Sequence, residues 1–440
     1  MQKTQLLKNI FSLGTVQLVN YVFPLITVPY VSRIIGPESY GIINYATAFI
    51  AYFTLLIGYG FDLTATRKIA RNPDDNVYVS RVFSQIVNAR ILLFLISVLF
   101  FLICILVVEP LRNNIYVTLI IFVSTISVVL VPQYIYQGKQ QLSIFAFLNF
   151  LKGLISTILV FVLIKTRSDY VILPAINVMV GLLGSVLLLI YACRKFNLTY
   201  QWVKMKDTFR LLYDEKVIFI STVVISLYTT TNTVVLGLFV PAAEVGYFTI
   251  SLSLLNVISS VISSPFSSAI FPYVGNAFAN NREAGLEVIR KILPLISYLT
   301  LFAGIVLFVF APLIIHVFYG NQFHNAVISF RIMVFTPFVI SMSNVFGIQT
   351  MLNLNMDKTF FKATATASII GLLLNIFMSK FFGYLGTAWN TIIIETFVTV
   401  YMYYLIRKNN LSIFEKKYFN PRYAFSVAKN IFTKNNSLDK

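Results

Sequence analysis

The stretch P-Y-V-S-R-I-I-G-P-E-S-Y-G, Pro29 to Gly41, lies between two apolar runs that are each long enough to cross a bilayer. A bilayer core about 30 Å thick requires roughly 20 apolar residues in a helix. The Gly-Pro-Glu sequence within the stretch favours a turn, because proline suits the first position of a new helix. The stretch therefore predicts two membrane helices joined by a tight turn, with one cation, Arg33, near the end of the first helix.

The apolar character extends over the whole chain of 440 residues. Of these, 58% are hydrophobic and 11% are charged, with a mean hydropathy of +0.81, whereas soluble domains are about half apolar and a quarter charged. The first apolar segment exceeds the core of a cleavable signal and lacks a small-residue cleavage site, which favours a retained span. We therefore predict an all-α integral membrane protein with about twelve transmembrane helices. The predicted spans are residues 9–32, 41–62, 82–107, 114–136, 142–164, 170–193, 216–240, 246–273, 292–318, 325–352, 360–381 and 384–406.

The lysines and arginines predict the orientation of these spans. With an inner N-terminus, 26 of the 34 lie on the predicted inner segments or within three residues of them, and five lie on or beside the predicted outer loops. An excess of Lys and Arg marks the cytoplasmic side, so both termini are predicted to be cytoplasmic. The net charge of +18 is dispersed over many loops, which argues against a nucleic-acid partner.

A pattern that follows the first span recurs after the seventh. I-G-P-E-S-Y-G follows span one, and V-P-A-A-E-V-G follows span seven. Each contains a proline that starts a helix, an acid that the positive end of the helix dipole favours, and a glycine. The same placement in each half predicts two parallel repeats of six helices. The residues are Pro37, Glu38 and Gly41 in the first turn and Pro241, Glu244 and Gly246 in the second.

The segment between spans six and seven separates these repeats. Its apolar residues Trp202, Met205, Phe209 and Leu212 recur at steps of 3, 4 and 3 among basic residues. This spacing predicts a helix on the inner membrane interface, with an ordered loop as the alternative. The predicted domains are an N-terminal six-helix lobe at 1–193, a cytoplasmic or interfacial linker at 194–215, a C-terminal six-helix lobe at 216–406 and a basic cytoplasmic tail at 407–440.

Several ionisable residues lie in or beside the predicted spans, where charge is costly and usually faces a cavity. Arg90 lies roughly 13 Å along span three at 1.5 Å per residue, and Lys152 is similarly deep in span five. Arg33 could instead reach the outer headgroups, Asp62 could lie in the inner interface, and Glu395 could pair with a buried base. Surplus positive charge suits a multiply anionic substrate such as a diphosphate. The predicted substrate-binding cations are Arg33, Arg90, Lys152 and Arg331, and the predicted coupling or structural acids are Asp62 and Glu395.

Motifs for enzymatic chemistry are missing from the sequence. It has two histidines, no H-E-x-x-H and no Walker A motif, so no catalytic residue, metal site or cofactor is predicted. Without a nucleotide-binding loop, the energy for transport would come from an ion gradient or the membrane potential. We therefore predict a transporter and not an enzyme.

Three segments resemble a known family. They look like segments of the bacterial polysaccharide transporter family, the Wzx-type O-antigen flippases. The segments are P-Y-V-S-R-I-I-G-P-E-S-Y-G-I-I-N-Y-A at 29–46, P-A-A-E-V-G-Y-F at 241–248 and G-Y-L-G-T-A-W-N at 383–390. The resemblance covers essentially the whole chain. It implies two six-helix lobes around a V-shaped central cavity, related to multidrug exporters and lipid II flippases.

The resemblance also implies a function. An undecaprenyl-diphosphate-linked oligosaccharide would pass from the inner to the outer leaflet of the plasma membrane by alternating access, for O-antigen or capsule assembly. The implied partners are this glycan and membrane lipids, with a polysaccharide polymerase and chain-length proteins as further candidates. An ion-coupled multidrug exporter is the first alternative, although its usual cationic substrates would require acids in the cavity. A polymerase is the second, although it would need a larger outer loop than any predicted here.

Overall fold

The computed structural model describes the backbone of residues 2–420. It describes the side chains of residues 22–420 except 225, 227–229, 261–269, 271 and 272. Over residues 2–420 the chain forms helices and turns and contains no strand. Most of the predicted basic tail at 407–440 lies outside these described residues. The contacts divide the chain into one unit at Met1–Gly246 and another at Tyr247–Lys440, while the predicted lobe boundaries at 194–215 stay a prediction.

The first unit contains eleven helices and the start of a twelfth. Together they cover the first seven predicted spans. The helices are α1 Gln2–Gly58, α2 Phe61–Arg71, α3 Asn76–Val107, α4 Glu109–Asn113, α5 Ile115–Val123, α6 Thr125–Leu130, α7 Gln133–Gly138, α8 Ser143–Leu163, α9 Ile172–Lys195, α10 Met205–Thr229, α11 Thr231–Gly237 and α12 Ala242–Asn280.

The second unit contains the rest of α12 and four further helices. A π-helix at Val345–Leu352 follows the third of them. The helices are α13 Arg282–Tyr319, α14 Ala326–Met333, α15 Thr336–Asn344 and α16 Asp357–Lys408.

Nine helical segments among the described residues are long and apolar enough to cross a membrane. One of them, Asp357–Lys408, contains two predicted spans, and Val22–Arg71 contains span two and the last part of span one. The all-α membrane fold is therefore confirmed, and the number of twelve spans is consistent with it. The exposed large side chains include Leu99, Phe100 and Leu106 of α3, which is the arrangement expected where lipid, and not water, surrounds a helix.

The Gly-Pro-Glu turn is where the first predicted span ends. Gly36 has φ 80° and ψ 172° within α1, a conformation open to glycine and strained for other residues. The helix resumes at once through Pro37. Gly383 interrupts α16 in the same manner, with φ 58° and ψ −145°. The predicted turn between spans one and two is thus confirmed, and a second turn joins spans eleven and twelve.

Three predicted spans are broken helices. Span four is divided among α5, α6 and α7, with Val131 and Pro132 outside any helix. Span seven breaks at Thr230, between α10 and α11. Span ten is divided among α14, α15 and the π-helix. Hydropathy located these spans but not their breaks, and the break in span four releases the carbonyl of Val131, which accepts a hydrogen bond from Arg90.

The two turns that echo one another in sequence lie against each other within the first unit. A Cβ placed on Gly41 would lie 1.7 Å from the backbone oxygen of Ala242 and 2.9 Å from the backbone nitrogen of Gly246. A Cβ placed on Gly246 would lie 2.2 Å from the backbone oxygen of Pro37. Each glycine therefore lets its helix approach the backbone of the other turn, and we call this reciprocal contact the glycine contact.

Candidate functional site

A polar cluster lies halfway along α8, and we name it the mid-span cluster: Asn149, Lys152, Ser156 and Asn177. The first three share one face of α8 because they are spaced by three and four residues. Ser156 Oγ donates to Asn177 Oδ1 of α9 at 2.8 Å, which joins the two helices. Asn149 donates to the carbonyl of Phe145 one turn earlier.

Lys152 is the charged member of the mid-span cluster. Its Cδ would lie 3.3 Å from a Cβ on Gly184, so the lysine stem crosses α9 where that helix has no side chain. Within the described part of the chain, no hydrogen bond or ion pair to Lys152 is present. A half-buried ammonium at this depth is costly unless a cavity or a ligand carries compensating charge.

Arg90 is in a different environment, because its charge is paired. It is 1% exposed and donates from Nη2 to Asp62 Oδ1 at 2.9 Å. Nη1 donates to the carbonyl of Val131 at 2.9 Å, which is released by the break between α6 and α7. The guanidinium carbon lies 5.4 Å from the centre of the Tyr134 ring, a cation–π distance.

This ion pair changes the environment predicted for Asp62. The residue belongs to α2, which starts after Gly60 with φ 78°, and its side chain is 43% exposed. The structure thus brings together two residues that the sequence analysis assigned to separate roles. Arg90 Nε is buried without a hydrogen-bond partner. The predicted contact of Arg90 with substrate stays a prediction.

Arg331 also binds a backbone carbonyl that a proline has released. Pro312 in α13 has no N–H, so the carbonyl of Phe308, four residues earlier, has no helical donor. Arg331 Nε donates to this carbonyl at 3.2 Å, and its guanidinium lies 5.2 Å from the centre of the Phe308 ring. Arg331 is therefore fixed to α13 by contacts with the backbone and the ring of Phe308.

The remaining predicted site residues are Arg33 and Glu395. Arg33 is exposed on α1, three residues before Gly36. Glu395 is half-buried in α16. Among the described residues, no group of three or more His, Cys, Asp or Glu side chains forms a possible metal site.

Three contributors to these sites were missed by sequence reasoning. Ser156 could have been found, because it lies one turn after Lys152 on the same face. The Val131 carbonyl could have been suspected from Pro132, which breaks the helix. The position of Tyr134 beside Arg90 has no signal in the sequence, because it depends on the packing of α7 against α2 and α3.

The linker before span seven exposes apolar side chains. Trp202 is 87% exposed, and Met205 and Phe209 at the start of α10 are 55% and 57% exposed. Leu212, the fourth residue of the predicted apolar stripe, is half-buried, and the next residue, Tyr213, is 68% exposed. The interfacial placement of this stripe stays a prediction that these exposures support.

Comparison with solved structures defines the class of fold. A lipid II flippase MurJ in an inward closed conformation matches with a TM-score of 0.70 at 13% identity, over 99% of this chain and 92% of the other. An inward-facing multidrug resistance MATE family transporter of the MOP superfamily matches with a TM-score of 0.68 at 15% identity, over 92% of this chain and 98% of the other. The chain therefore has the fold of these membrane transporters.

Comparison with protein sequences identifies the family. Residues 6–278 match the family described as "Polysaccharide biosynthesis protein", so this chain belongs to that family. It is 29% identical over 411 residues to a protein of Escherichia coli (strain K12) named "Putative O-antigen transporter", covering 93% of this chain and 99% of that one. A protein of the same name from Shigella dysenteriae is 22% identical over 396 residues, covering 90% and 98%. The family predicted from the sequence motifs is confirmed, and the relatives are named as transporters, not enzymes.

Proposed function

We propose that this protein is a flippase for an undecaprenyl-diphosphate-linked oligosaccharide repeat unit. It moves the repeat unit from the inner to the outer leaflet of the plasma membrane by alternating access, for surface polysaccharide assembly. Both termini are cytoplasmic in this proposal, as the distribution of Lys and Arg predicts. The names of the two sequence relatives support the substrate class.

The observation that carries the proposal is the environment of Lys152. Arg90 has a carboxylate partner, whereas no described carboxylate lies within ion-pair distance of Lys152. An unpaired cation in the membrane interior attracts an anion, and a diphosphate offers several oxygens to an ammonium and to hydroxyl and amide donors nearby. Ser156, one turn further along the same face of α8, and its partner Asn177 supply such polar groups. A drug exporter for cationic compounds would gain nothing from this arrangement.

The first experiment measures the sidedness of the lipid-linked repeat unit in cells depleted of this protein. Surface-exposed glycan is labelled on spheroplasts and compared with the total lipid-linked glycan. We expect the repeat unit to accumulate and to remain inaccessible until the membrane is permeabilised. Single repeat units that reach the outer face would favour the polymerase alternative, and normal exposure with normal polymerisation would exclude the flippase.

Substitution of Lys152 tests its role in the same assay. We expect Lys152→Met to lower the exposed fraction at least tenfold, because loss of a charge-assisted contact of about 1.5–3 kcal/mol has roughly this effect. Lys152→Arg should retain much of the activity. Lys380→Met, at a lysine near the predicted outer end of span eleven, serves as the control. Equal exposure in Lys152→Met and the control would remove Lys152 from the transport mechanism.

Arg33 is proposed to contact the anionic headgroup near the predicted outer end of span one. Its side chain is exposed one turn before the Gly36 turn, so it can follow movements of the helix end. We expect Arg33→Ala to reduce export several-fold and Arg33→Lys to reduce it less, because the lysine preserves the charge. Full activity of both variants in the sidedness assay would exclude this role.

A further inference from the structure

A cavity of about 730 Å³ opens at one end of the first unit, apart from the mid-span cluster. Three segments surround it: the loop after α2, the turn between α7 and α8, and the last turns of α9. This is the end that the Lys and Arg distribution places in the cytoplasm. The lining includes Pro73, Asp74, Lys139, Gln141, Ser143, Tyr191 and Lys195.

Lys139 holds two walls of the cavity together. Its Nζ donates to the carbonyl of Pro73 at 2.6 Å and to Asn76 Oδ1 at 3.2 Å. The ammonium also lies 5.3 Å from the centre of the Phe196 ring. Burial lowers the pKa of Lys139, and the nearby negative charge of Asp74 offsets only part of that shift. Lys139 is therefore a structural cation of the wall, and its positive charge is directed partly at the loop after α2.

Lys195 supplies a cation that is available to a ligand. It lies in the last turn of α9 and is exposed, and within the described ranges no ion pair holds it. Asp74 is the acid in the lining, so the two lysines outnumber it. A dissolved or membrane-bound anion can therefore find net positive charge in this cavity.

The floor of the cavity adds further donors. The α8 helix starts at Ser143, and its N-cap, Leu142, has no side chain that can accept from the first turn. The backbone N–H groups of Ser143 and of Ile144, which also lines the cavity, have no acceptor within the helix. The Ser143 hydroxyl and the Tyr191 phenol lie in the same lining. These groups suit an anion with several oxygens better than a single carboxylate.

One rim of the cavity is apolar and exposed. Phe147, one turn beyond Ser143 on α8, is 57% exposed, and Tyr191 is 37% exposed. Ile144 continues this rim into the lining. A polar floor beside an apolar rim at the end of a membrane helix fits a lipid headgroup whose acyl chains stay in the bilayer. Basic pockets between membrane helices on the cytoplasmic side are used in this manner.

We propose that this cavity binds the phosphate of a lipid headgroup in the adjoining leaflet. Lys195, Ser143 and the first-turn amides of α8 contact the phosphate, and Phe147 packs against the lipid chain. A bilayer phospholipid and the lipid-linked diphosphate of the proposed function share this chemistry. Binding of a bilayer phospholipid does not depend on the proposed function, whereas binding of the diphosphate substrate does.

The test measures lipid affinity with the purified full-length protein in detergent. The probes are short-chain phosphatidylglycerol, a neutral diacylglycerol of the same chain length, and undecaprenyl diphosphate. We expect Lys195→Glu to weaken binding of at least one phosphate-bearing probe at least tenfold, because the reversed charge turns an attraction to the anionic headgroup into a repulsion. Diacylglycerol binding should not change. The milder Lys195→Gln should act in the same direction if the charge reversal disturbs folding.

Arg194→Glu is the matched control, because Arg194 is the neighbouring exposed cation and is not part of the lining. We expect it to change affinity less than twofold. Weaker binding of phosphatidylglycerol alone identifies a bilayer lipid site, and weaker binding of undecaprenyl diphosphate alone identifies a substrate site. Equal losses in Arg194→Glu and Lys195→Glu, or no loss in either, would overturn the proposal. The sidedness assay on Lys195→Glu separates this result from transport, since normal export with weakened lipid binding leaves the proposed function intact.

Discussion

Gly41→Ala is expected to destabilise the folded protein and to abolish export. The new Cβ would lie 1.7 Å from the carbonyl oxygen of Ala242, far inside van der Waals contact. The obstacle is a backbone and not a movable side chain, so one of the two helices must shift. Overpacking of this kind costs about 1–3 kcal/mol and occasionally more, and this contact belongs to the upper part of that range. Thermal unfolding in detergent and the sidedness assay would measure the two effects.

Gly181→Ala is the control for this prediction. Gly181 lies in α9, and a Cβ there would come no closer than 3.8 Å to Ser127 Oγ. Alanine has the better helix propensity by about 1 kcal/mol, so Gly181→Ala should be neutral or stabilising. The same propensity gain applies at Gly41 and should be outweighed by the clash. Unchanged unfolding temperatures in both variants would show that the two turns do not approach as closely as described.

Gly246→Ala should lower stability and export as Gly41→Ala does, because Gly246 is the second glycine of the glycine contact. Its Cβ would lie 2.2 Å from the carbonyl oxygen of Pro37. The contact joins the turn after span one to the turn after span seven. A variant that folds but fails to export would show that this contact matters for transport as well as for folding.

The second large effect is expected at the ion pair between Asp62 and Arg90. Asp62→Ala leaves the guanidinium of Arg90, which is 1% exposed, without its carboxylate. Loss of one partner from a buried pair costs about 3–5 kcal/mol. Because the Asp62 side chain is 43% exposed, water already screens part of this interaction, and we expect about 2–3 kcal/mol in the free energy of unfolding.

A double-mutant cycle separates the pair from other effects. The double variant Asp62→Ala/Arg90→Met should lose less stability than Asp62→Ala alone, because no uncompensated charge remains buried. Glu287→Ala removes an acid from the exposed ion pair with Lys291 and should leave the stability almost unchanged, because water screens exposed ion pairs. Strictly additive losses at Asp62 and Arg90 would contradict the described pairing.

The sequence predicted the broad fold because its signals are local. Apolar segments of sufficient length place helices in the membrane wherever their partners lie. Gly36 and Gly383 mark turns because few other residues adopt their backbone conformations. The breaks in spans four and ten were missed, because the apolar residues on both sides of each break keep the hydropathy high.

The candidate site was predicted less completely. Lys152 and Arg90 both appeared as deep cations, yet Arg90 has a carboxylate, a carbonyl and a ring around it. The spacing of residues along α8 could group only part of the mid-span cluster, because Asn177 joins it from another helix. Hydropathy and spacing describe one helix at a time and do not identify the facing helix.

The amino-acid sequence by itself determined that this chain is a membrane transporter of the polysaccharide biosynthesis family, with helices at the apolar segments and a turn at Gly36 and Pro37. The tertiary structure alone decided that Arg90 pairs with Asp62, that Arg331 binds the carbonyl released by Pro312, and that the two echoing turns touch. The physical reason is the range of the interactions. Transfer of an apolar helix into lipid depends on its own side chains, whereas an ion pair or a backbone contact depends on which helices pack together and at what rotation.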